Sequence, residues 1–494
     1  MSSGLEMSTS SRARQLLTDY VQQVKPDKAI LCVPKTGWHK GKFVLPSGSI
    51  GDIDEPIMVQ GKAVNCRVYA FSGTLSEWQE HILKYTLGNS RLIFAICSAF
   101  AAPCLELLGM EGGGFHFRCQ SSLGKTTLLR VAASVCGDPT SLRKWRATVN
   151  GLEVTAFQHN DMLLCLDEMG EINGQDIGAA AYMLVNGSGK GRARADGGLR
   201  DSLTWRLLFL STGEISLTSH MEEAGKRSKA GQEIRLADIP ADTEEHGVFE
   251  QIHGHSHGGV FADMLKDQTK KYYGTAIRAF LQRLVFEREE AKRFIEKQMS
   301  LFLDKAIPKN APGQIYRVAT RFAFVGAAGE LAIHYGIARV MGSDGLAEIG
   351  WDEGMALEAA MRCFNSWLKS FGGLRPQEET KLVADTLHFL EQHGESRFTD
   401  YSERLSDGYP SKTYQRAGFR RSDSDSFEFL LFPETFKREI CKGLEEHYVK
   451  RVLFDHGVLK KDSQGKFSCS MKPASEMKSR RFVVLMLPTE KQEE

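Results

Sequence analysis

Residues 118–137, RCQSSLGKTTLLRVAASVCG, combine glycine, lysine and hydroxyl side chains in a spacing that suits phosphate binding. Gly124, Lys125 and Thr126 complete the second half of the phosphate-loop pattern G-x-x-x-x-G-K-[ST], but Cys119 occupies the position of its first glycine. In such a loop, backbone N–H groups hold phosphate oxygens, the lysine reaches the β- and γ-phosphates, and the hydroxyl binds Mg²⁺. The stretch therefore predicts a site for ATP and Mg²⁺. The residues expected to hold the nucleotide are Ser121, Ser122, Leu123, Gly124, Lys125, Thr126 and Thr127.

A second motif is acidic. The segment 161–171, DMLLCLDEMGE, is an apolar run that ends in Asp167 and Glu168, and Asp167 follows Lys125 by 42 residues. Together with Thr126, Asp167 is expected to bind Mg²⁺, and Glu168 is expected to orient and deprotonate an attacking water. A carboxylate after a buried strand can also cap a helix. Its position downstream of a phosphate loop favours the catalytic interpretation.

A third apolar run, 204–214 (TWRLLFLSTGE), ends in two hydroxyl residues, Ser211 and Thr212. In AAA+ ATPases a polar residue at such a strand end lies between the other two motifs and senses the γ-phosphate. Both residues are therefore candidates for that contact. The three runs together predict an enzyme that hydrolyses Mg-ATP.

Strand and helix patterns surround these motifs. The run 112–118 (GGGFHFR) favours a strand and 126–135 (TTLLRVAASV) favours a helix, so the loop joins a strand to a helix. Alternating patterns from 112 to 243 predict an α/β layered core. The expected divisions are a small β-rich N-terminal region at 1–70, a helical collar at 71–111, the ATPase core at 112–259, a helical lid at 260–374 and a winged-helix-like domain at 375–494.

Several local signals refine these divisions. Apolar runs on either side of 39–41 (HKG) predict a β-hairpin. Ser76 is predicted to cap the first collar helix and Gly88 to end it, whereas 260–371 is predicted to be helical throughout. The segment 445–457 (EEHYVKRVLFDHG) is predicted to be a helix, and two strand-like runs follow it in the sequence. This order is typical of a winged helix.

Composition narrows the class of protein. The chain has 494 residues and a formal net charge of +1, so any nucleic-acid binding must come from local patches. Its ten cysteines include no C-x-x-C pair, which favours a reducing compartment. The longest apolar stretch is interrupted by Pro103 and Glu106, which indicates a buried helix. A cytoplasmic protein without membrane contact is expected.

Five stretches of the sequence resemble the DUF927 family of AAA+ helicase-like proteins, which occur on bacterial mobile elements and prophages. The resemblance covers roughly residues 30–480. It implies a Mg-ATP-driven DNA helicase that forms a ring, expected to be a hexamer, on single-stranded or forked DNA. Primase activity is expected from a separate partner protein. The stretches are SEWQEHILKYTLGNSRLIFAICSAFAAPCLELLGMEGGGFHFRCQSSLGKTTLLRVAASVCG, LDEMGEINGQDIGAAAYMLVNGSGKGRARADG, LLFLSTGE, AGQEIRLADIPA and FAFVGAAGELA.

The segment 186–198 (NGSGKGRARADGG) carries the candidate DNA contacts. Lys190, Arg192 and Arg194 alternate with small residues, so a hairpin would direct all three to one side. In helicase rings of the type that the resemblance implies, a hairpin here enters the central channel and contacts the phosphate backbone. The alternative is a solvated surface loop.

Arginines complete the set of candidate residues. Arg235 precedes a strand-like run where AAA+ rings place an arginine finger that acts on the neighbouring subunit, with Arg227 as the second choice. Arg317 and Arg321 lie four residues apart on one helix face, and one of them is a candidate second sensor. The same ATP site also suits an ATP-switched initiator or loader that holds duplex DNA through the C-terminal domain.

Overall fold

The computed structural model describes most of the chain, and every structural statement below concerns that part. It divides into two compact units, Met1–Ser370 and Phe371–Glu494. The described residues are 10–25, 30–51, 56–60, 66–193, 199–200, 202–226, 230–308, 311–341, 347–371, 377–400, 413–423, 426–472 and 479–488.

The secondary structure alternates between helices and short strands. The α-helices are α1 Ser11–Gln23, α2 Leu75–His81, α3 Ser90–Ala101, α4 Leu105–Leu108, α5 Lys125–Cys136, α6 Val149–Gln158, α7 Gly174–Asn186, α8 Leu217–Glu223, α9 Ala230–Glu233, α10 Gly258–Thr269, α11 Thr275–Phe286, α12 Arg288–Ala306, α13 Gly313–His334, α14 Met355–Phe371, α15 Gln377–His393, α16 Pro433–Thr435 and α17 Glu446–Asp455. The strands are β1 Leu31–Val33, β2 Gly37–His39, β3 Lys42–Leu45, β4 Gly48–Ile50, β5 Ile57–Val59, β6 Gly113–Arg118, β7 Arg143–Lys144, β8 Leu163–Asp167, β9 Arg192–Ala193, β10 Leu199–Arg200, β11 Leu208–Gly213, β12 Leu236–Pro240, β13 Arg339–Met341, β14 Ala347–Gly350, β15 Phe398–Asp400, β16 Gly418–Asp423, β17 Ser426–Leu431, β18 Leu459–Lys460, β19 Cys469–Met471 and β20 Arg480–Pro488.

A five-stranded sheet forms the centre of the first unit. Its order is β12-β6-β11-β8-β7, and every pair is parallel. The strand that follows the acidic motif in sequence, β11, is therefore inserted between the strand before the loop and the strand that ends in Asp167. Because the strands are parallel, their carboxyl ends meet at one edge, where all three predicted motifs lie.

Apolar helices cover both faces of this sheet, so its strands are continuous apolar runs. On one face Phe94 of α3, Phe115 of β6 and Phe322 of α13 pack ring against ring, with centroids 4.8 to 5.2 Å apart. On the other face, Trp145 and Leu184 belong to a buried cluster that α6, α7 and α8 share with the sheet. The predicted α/β architecture is confirmed at this level.

The N-terminal region contains the predicted hairpin and one unpredicted helix. Strands β2 and β3 are antiparallel and close through Lys40 and Gly41, which have φ values of 47° and 79°. Positive φ at both turn positions matches the right-handed twist of the strands. Helix α1 precedes them and buries none of its residues, and the apolar residues that recur along it at helical spacing, Leu17, Tyr20 and Val21, are exposed.

The collar helix begins two residues earlier than predicted. Thr74, and not Ser76, is the N-cap, because Glu77 at the third helical position completes a capping box. The Thr74 hydroxyl accepts the Glu77 N–H at 3.2 Å, and the Glu77 carboxylate accepts the Thr74 N–H at 2.8 Å. The helical stretch Ser90–Leu108 is long and apolar enough to cross a membrane, but 89% of its apolar window is buried in the fold. It is a core helix here, as predicted.

Residues 260–371 are not helical throughout. Gly336, with φ of 72°, follows the end of α13, and β13 and β14 then form an antiparallel pair. The β-branched residues Val340 and Ile349 face each other in this pair, which favours strands over a helix.

The second unit contains a larger sheet than the predicted winged helix requires. Its order is β15-β16-β17-β20-β18, with β19 also paired to β20. Helix α17 precedes β18, β19 and β20, which is the predicted order of helix and strands. Strands β15 to β17 extend the sheet, and their ladder joins Phe419 to Leu430 across an antiparallel pair.

Candidate nucleotide site

The loop between β6 and α5 does not need a glycine at position 119. Among the described residues with positive φ, the loop contributes Ser122 at 62° and Gly124 at 97°, but not Cys119. The Cys119 side chain is 8% exposed, and burial raises the pKa of its thiol. The conformational demand falls on Gly124, where an added Cβ would also lie within 2.9 Å of Val248 and Phe249. The departure from the pattern at Cys119 is therefore compatible with the loop.

Lys125 closes the loop on itself. Its ammonium donates to the carbonyls of Cys119 and Gln120 at 2.7 and 2.6 Å, and its side chain is 5% exposed. Helix α5 begins at Lys125 without a side-chain cap, so its first N–H groups are directed into the loop. The loop thus presents one ammonium and a helix N-terminus at the same place.

Asp167 lies between two hydroxyls. Its Oδ2 accepts from Thr126 Oγ1 at 3.1 Å and its Oδ1 accepts from Thr212 Oγ1 at 2.6 Å. The Asp167 side chain is nearly buried, as is that of Thr212. The three predicted motifs therefore converge on one carboxylate at the edge of the sheet.

Ser211 faces away from this group. Its hydroxyl accepts from Trp145 Nε1 at 2.8 Å and lies 2.9 Å from His116 Nδ1. Trp145 belongs to the buried cluster on the face that α6, α7 and α8 cover. Burial lowers the pKa of His116, which favours the neutral imidazole. Side chains alternate along a strand, and the structure brings Thr212 to Asp167 and keeps Ser211 in the core.

Glu168 has a strained backbone beside this group. Its φ and ψ are 59° and 71°, a left-handed conformation that a non-glycine residue rarely adopts. Its N–H donates to Thr212 Oγ1 at 3.4 Å, and no described side chain hydrogen-bonds to its carboxylate. Strain of this kind costs about 1–3 kcal/mol and clusters at functional sites.

Cations that the motifs did not predict line a cavity of about 240 Å³ beside Thr126 and Asp167. They are Arg130, Lys144 and Lys270. Arg130 could have been predicted from the spacing, because it follows Thr126 by one helical turn. Lys144 pairs in register with Asp167 on the edge strand β7, a placement that only the sheet order reveals.

The candidate DNA segment forms the predicted hairpin in its described part. Strands β9 and β10 are antiparallel and pair Arg192 with Arg200, and the stem continues through a bridge between Ser188 and Thr204. Lys190 is exposed. The side chain of Arg192 and the whole of Arg194 lie outside the described residues. The stem leaves the sheet where β11 begins, at the edge opposite the loop.

Arg235 also lies at that opposite edge, directly before β12. Strand β12 is five residues long, which separates Arg235 from the loop edge by about 16 Å. Its guanidinium stacks 4.4 Å over the ring of Tyr182 and donates to the Gly231 carbonyl at 2.8 Å. Tyr182 is 42% exposed, so this pair stands at the surface.

The other candidate arginines are not near the loop either. Arg321 donates to the carbonyls of Ile234 and Arg235 at 3.0 and 3.2 Å. Burial, with the nearby Arg235 charge, lowers the pKa of Arg321 to about 10. Arg317 is exposed on the same helix, and Arg227 lies outside the described residues. Arg321 therefore supports the backbone that carries Arg235.

The fold is shared with a solved structure described as "SCCmec type IV Cch - active helicase". The TM-score is 0.65 at 17% identity, and the match covers 97% of this chain and 82% of that chain. A second structure, "The A form apo structure of NrS-1 C terminal region-CTR", has a TM-score of 0.25 at 9% identity. It covers 66% of this chain and 81% of that chain, and such a low score supports no argument.

Sequence comparisons give one further match. No curated protein matches the chain significantly. A sequence model of the DUF927 family, a domain of unknown function, matches residues 1–203. This range includes the phosphate-loop motif, the acidic pair and most of the candidate DNA hairpin. The chain therefore resembles the DUF927 family over residues 1–203, a shorter range than the 30–480 expected from its motifs.

Proposed function

We propose that this protein is a Mg-ATP-driven DNA helicase or translocase that serves the replication of a mobile genetic element. The observation that carries the proposal is the Asp167 carboxylate, held between the hydroxyls of Thr126 and Thr212. Lys125 lies in the adjoining loop. An ammonium, a helix N-terminus and a hydroxyl–carboxylate pair at one sheet edge form the donor set of a phosphate-loop ATPase of the AAA+ class.

The residues at this edge suit a nucleotide and its metal ion. The N–H groups from Ser121 to Thr127 and the Lys125 ammonium would hold the phosphates, and Thr126 and Asp167 would hold Mg²⁺. Bound Mg-ATP supplies the phosphoanhydride bond whose hydrolysis powers the protein. Arg130 adds positive charge to the cavity beside Thr126 and Asp167, and Lys144 lines the same cavity while its ammonium pairs with Glu171 at 2.8 Å.

Glu168 is the proposed base. The left-handed backbone turns its side chain away from the strand direction, and its carboxylate is not occupied by a described hydrogen-bond donor. A carboxylate in this state can orient and deprotonate a water. Thr212 couples the two residues, because its hydroxyl donates to Asp167 and accepts the Glu168 N–H.

Arg235 is proposed to act on a neighbouring subunit. It lies about 16 Å from the loop edge of its own subunit, too far for an arginine side chain to reach. An arginine at the surface, supported by Tyr182 and Arg321, can complete the loop of another copy. This proposal requires a ring, for which a hexamer is the expected form.

The hairpin formed by β9 and β10 is proposed to contact DNA. Lys190, Arg192 and Arg194 would contact phosphates without reading sequence. The hairpin stem, which includes the bridge between Ser188 and Thr204, is followed a few residues later by β11, the strand that carries Thr212. We assign helices α10 to α14 to a lid and the second unit to a winged-helix-like domain, and we place the protein in the cytoplasm with a separate primase.

An ATP-switched initiator or loader is the second candidate function. It is favoured by the cationic cleft of the second unit, which is described below. Strand displacement on forked DNA distinguishes the two. A helicase releases the labelled strand with Mg-ATP, and the Lys125→Ala and Glu168→Gln variants do not. DNA binding by the wild type without strand release, under conditions where it hydrolyses ATP, would favour the initiator.

A further inference from the structure

A cleft of about 770 Å³ opens on the sheet of the second unit. It lies outside the ATPase core, and no motif of the nucleotide site contributes to it. Its basic residues come from three strands and one loop, so they converge through the fold and not through a local run of sequence. We call it the C-terminal cleft, and its basic residues are Arg421, Lys460, Lys461, Lys466 and Arg481.

Positive charge dominates the C-terminal cleft. Its five cations face two carboxylates, those of Glu428 and Asp462. Glu428 is 1% exposed and is shared by Arg421 Nε at 2.6 Å and Lys460 Nζ at 2.5 Å. Burial alone would raise the pKa of Glu428, but the hydrogen bonds from Lys460 and Arg421 lower it below its usual value. The carboxylate is thus ionised and orients two cations without neutralising both.

The second carboxylate has a local role. Asp462 accepts the N–H groups of Gln464 and Lys466 at 2.9 and 2.8 Å, which fixes the turn that presents Lys466. Lys466 and Arg481 are exposed at the rim of the cleft. A cationic, solvent-open cleft suits a polyanion whose own charges are regularly spaced.

The aromatic lining distinguishes between kinds of nucleic acid. Phe467 is the aromatic residue among the described residues that line the cleft. Lys461 lies 4.7 Å over its ring and Phe454 packs 6.0 Å from it, so the ring is already engaged. Sequence-independent binding of single strands depends on bases that stack on aromatic side chains, whereas a duplex keeps its bases stacked inside. We propose that the C-terminal cleft binds the phosphate backbone of duplex DNA.

This proposal does not depend on the ATPase or on the β9–β10 hairpin. The full-length protein is tested as wild type and as the Lys466→Ala/Arg481→Ala variant, without nucleotide. The control variant, Lys437→Ala/Arg438→Ala, removes the same two charges from exposed positions of the same unit outside the cleft. Fluorescence anisotropy then gives the affinity for a blunt duplex and for an oligo-dT strand between 50 and 200 mM KCl.

The salt dependence gives the expected size of the effect. Each lost phosphate contact lowers the slope of log affinity against log salt by about 0.9 on duplex DNA. Two lost contacts therefore lower it by about 1.8, so between 50 and 200 mM the wild type loses about 12-fold more affinity than the cleft variant. The control keeps the wild-type slope, and all three proteins bind oligo-dT alike.

Three results would overturn the proposal. They are an unchanged duplex slope in the cleft variant, an equal change in the control, and a loss confined to oligo-dT. Basal ATP hydrolysis and the unfolding temperature of both variants establish that the fold is intact. If hydrolysis is absent in all three proteins but the duplex slope still falls, the proposed ATPase fails and the cleft proposal stands.

Discussion

Replacing Thr212 by valine tests the hydroxyl that links the nucleotide site to the sheet. Valine keeps the branched shape but cannot donate to Asp167 or accept the Glu168 N–H. Ser211→Ala is the matched control on the same strand. Its hydroxyl is equally buried, at 0% exposure, but bonds to Trp145 on the other face of the sheet.

The structure sets the magnitude. A hydrogen bond to a charged group contributes about 1.5–3 kcal/mol, and the 2.6 Å contact from Thr212 to Asp167 is of this kind. If this interaction holds Asp167 in place during hydrolysis, its loss lowers kcat by about 10- to 150-fold, at 1.36 kcal/mol for each factor of ten. Both substitutions leave buried groups unpaired, so both lower the free energy of unfolding by about 1–3 kcal/mol.

Steady-state ATP hydrolysis and thermal unfolding are measured for both variants. We expect similar unfolding temperatures but a large loss of kcat in Thr212→Val alone. A Thr212→Val protein with kcat within twofold of the wild type would refute the role assigned to this hydroxyl. A Ser211→Ala protein that loses as much kcat as Thr212→Val would show that the effect follows stability and not contact with Asp167.

Four further predictions concern the nucleotide site and the proposed arginine finger. Lys125→Ala should abolish binding of a fluorescent ATP analogue, because the Lys125 ammonium organises the loop. Glu168→Gln should bind the analogue but fail to release phosphate. Normal ATP hydrolysis by both variants would show that the nucleotide site is not in this loop. Arg235→Ala should bind ATP without hydrolysing it, and Lys125→Ala subunits should partly restore hydrolysis in mixed assemblies. Tyr182→Leu should lower kcat with little change in KM, because it removes the ring on which Arg235 stacks, whereas Tyr182→Phe keeps the ring and should not. An equal loss of kcat in both variants would show that the stacking has no role. Cys119→Gly should retain hydrolysis and lose about 1 kcal/mol or more of stability, as seen in denaturant unfolding, because a buried side chain is removed and glycine is more flexible when unfolded.

Local sequence signals were sufficient to predict the backbone conformation where that conformation depends on nearby residues. The Lys40–Gly41 turn and the paired β9–β10 hairpin are both visible as small or glycine residues between apolar or alternating runs. The same holds for the loop, where a glycine, Gly124, is present at the position whose φ is 97°. Cys119 departs from the pattern at a position with ordinary φ, which explains why the loop tolerates it.

Long-range packing decided what the sequence left open. Ser211 and Thr212 are adjacent, and only the register of β11 against β6 and β8 determines which hydroxyl meets Asp167. Arg321 follows Arg317 by four residues, a spacing typical of surface ion pairs. Its side chain is instead accommodated beside β6, because Gly113 has no side chain there. The strands of the second unit that extend its sheet are distant in sequence from α17, so a motif around that helix could not include them.

Strand displacement by a hairpin variant tests the central claim, that the nucleotide site drives movement along DNA. The variant replaces Lys190, Arg192 and Arg194 by alanine, and its control replaces Arg12, Arg293 and Lys297, three exposed cations elsewhere. Unwinding of forked DNA and basal ATP hydrolysis are measured on the same preparations. The account predicts that the hairpin variant hydrolyses ATP at the wild-type basal rate but releases no strand, while the control does both. Normal strand release by the hairpin variant would contradict it.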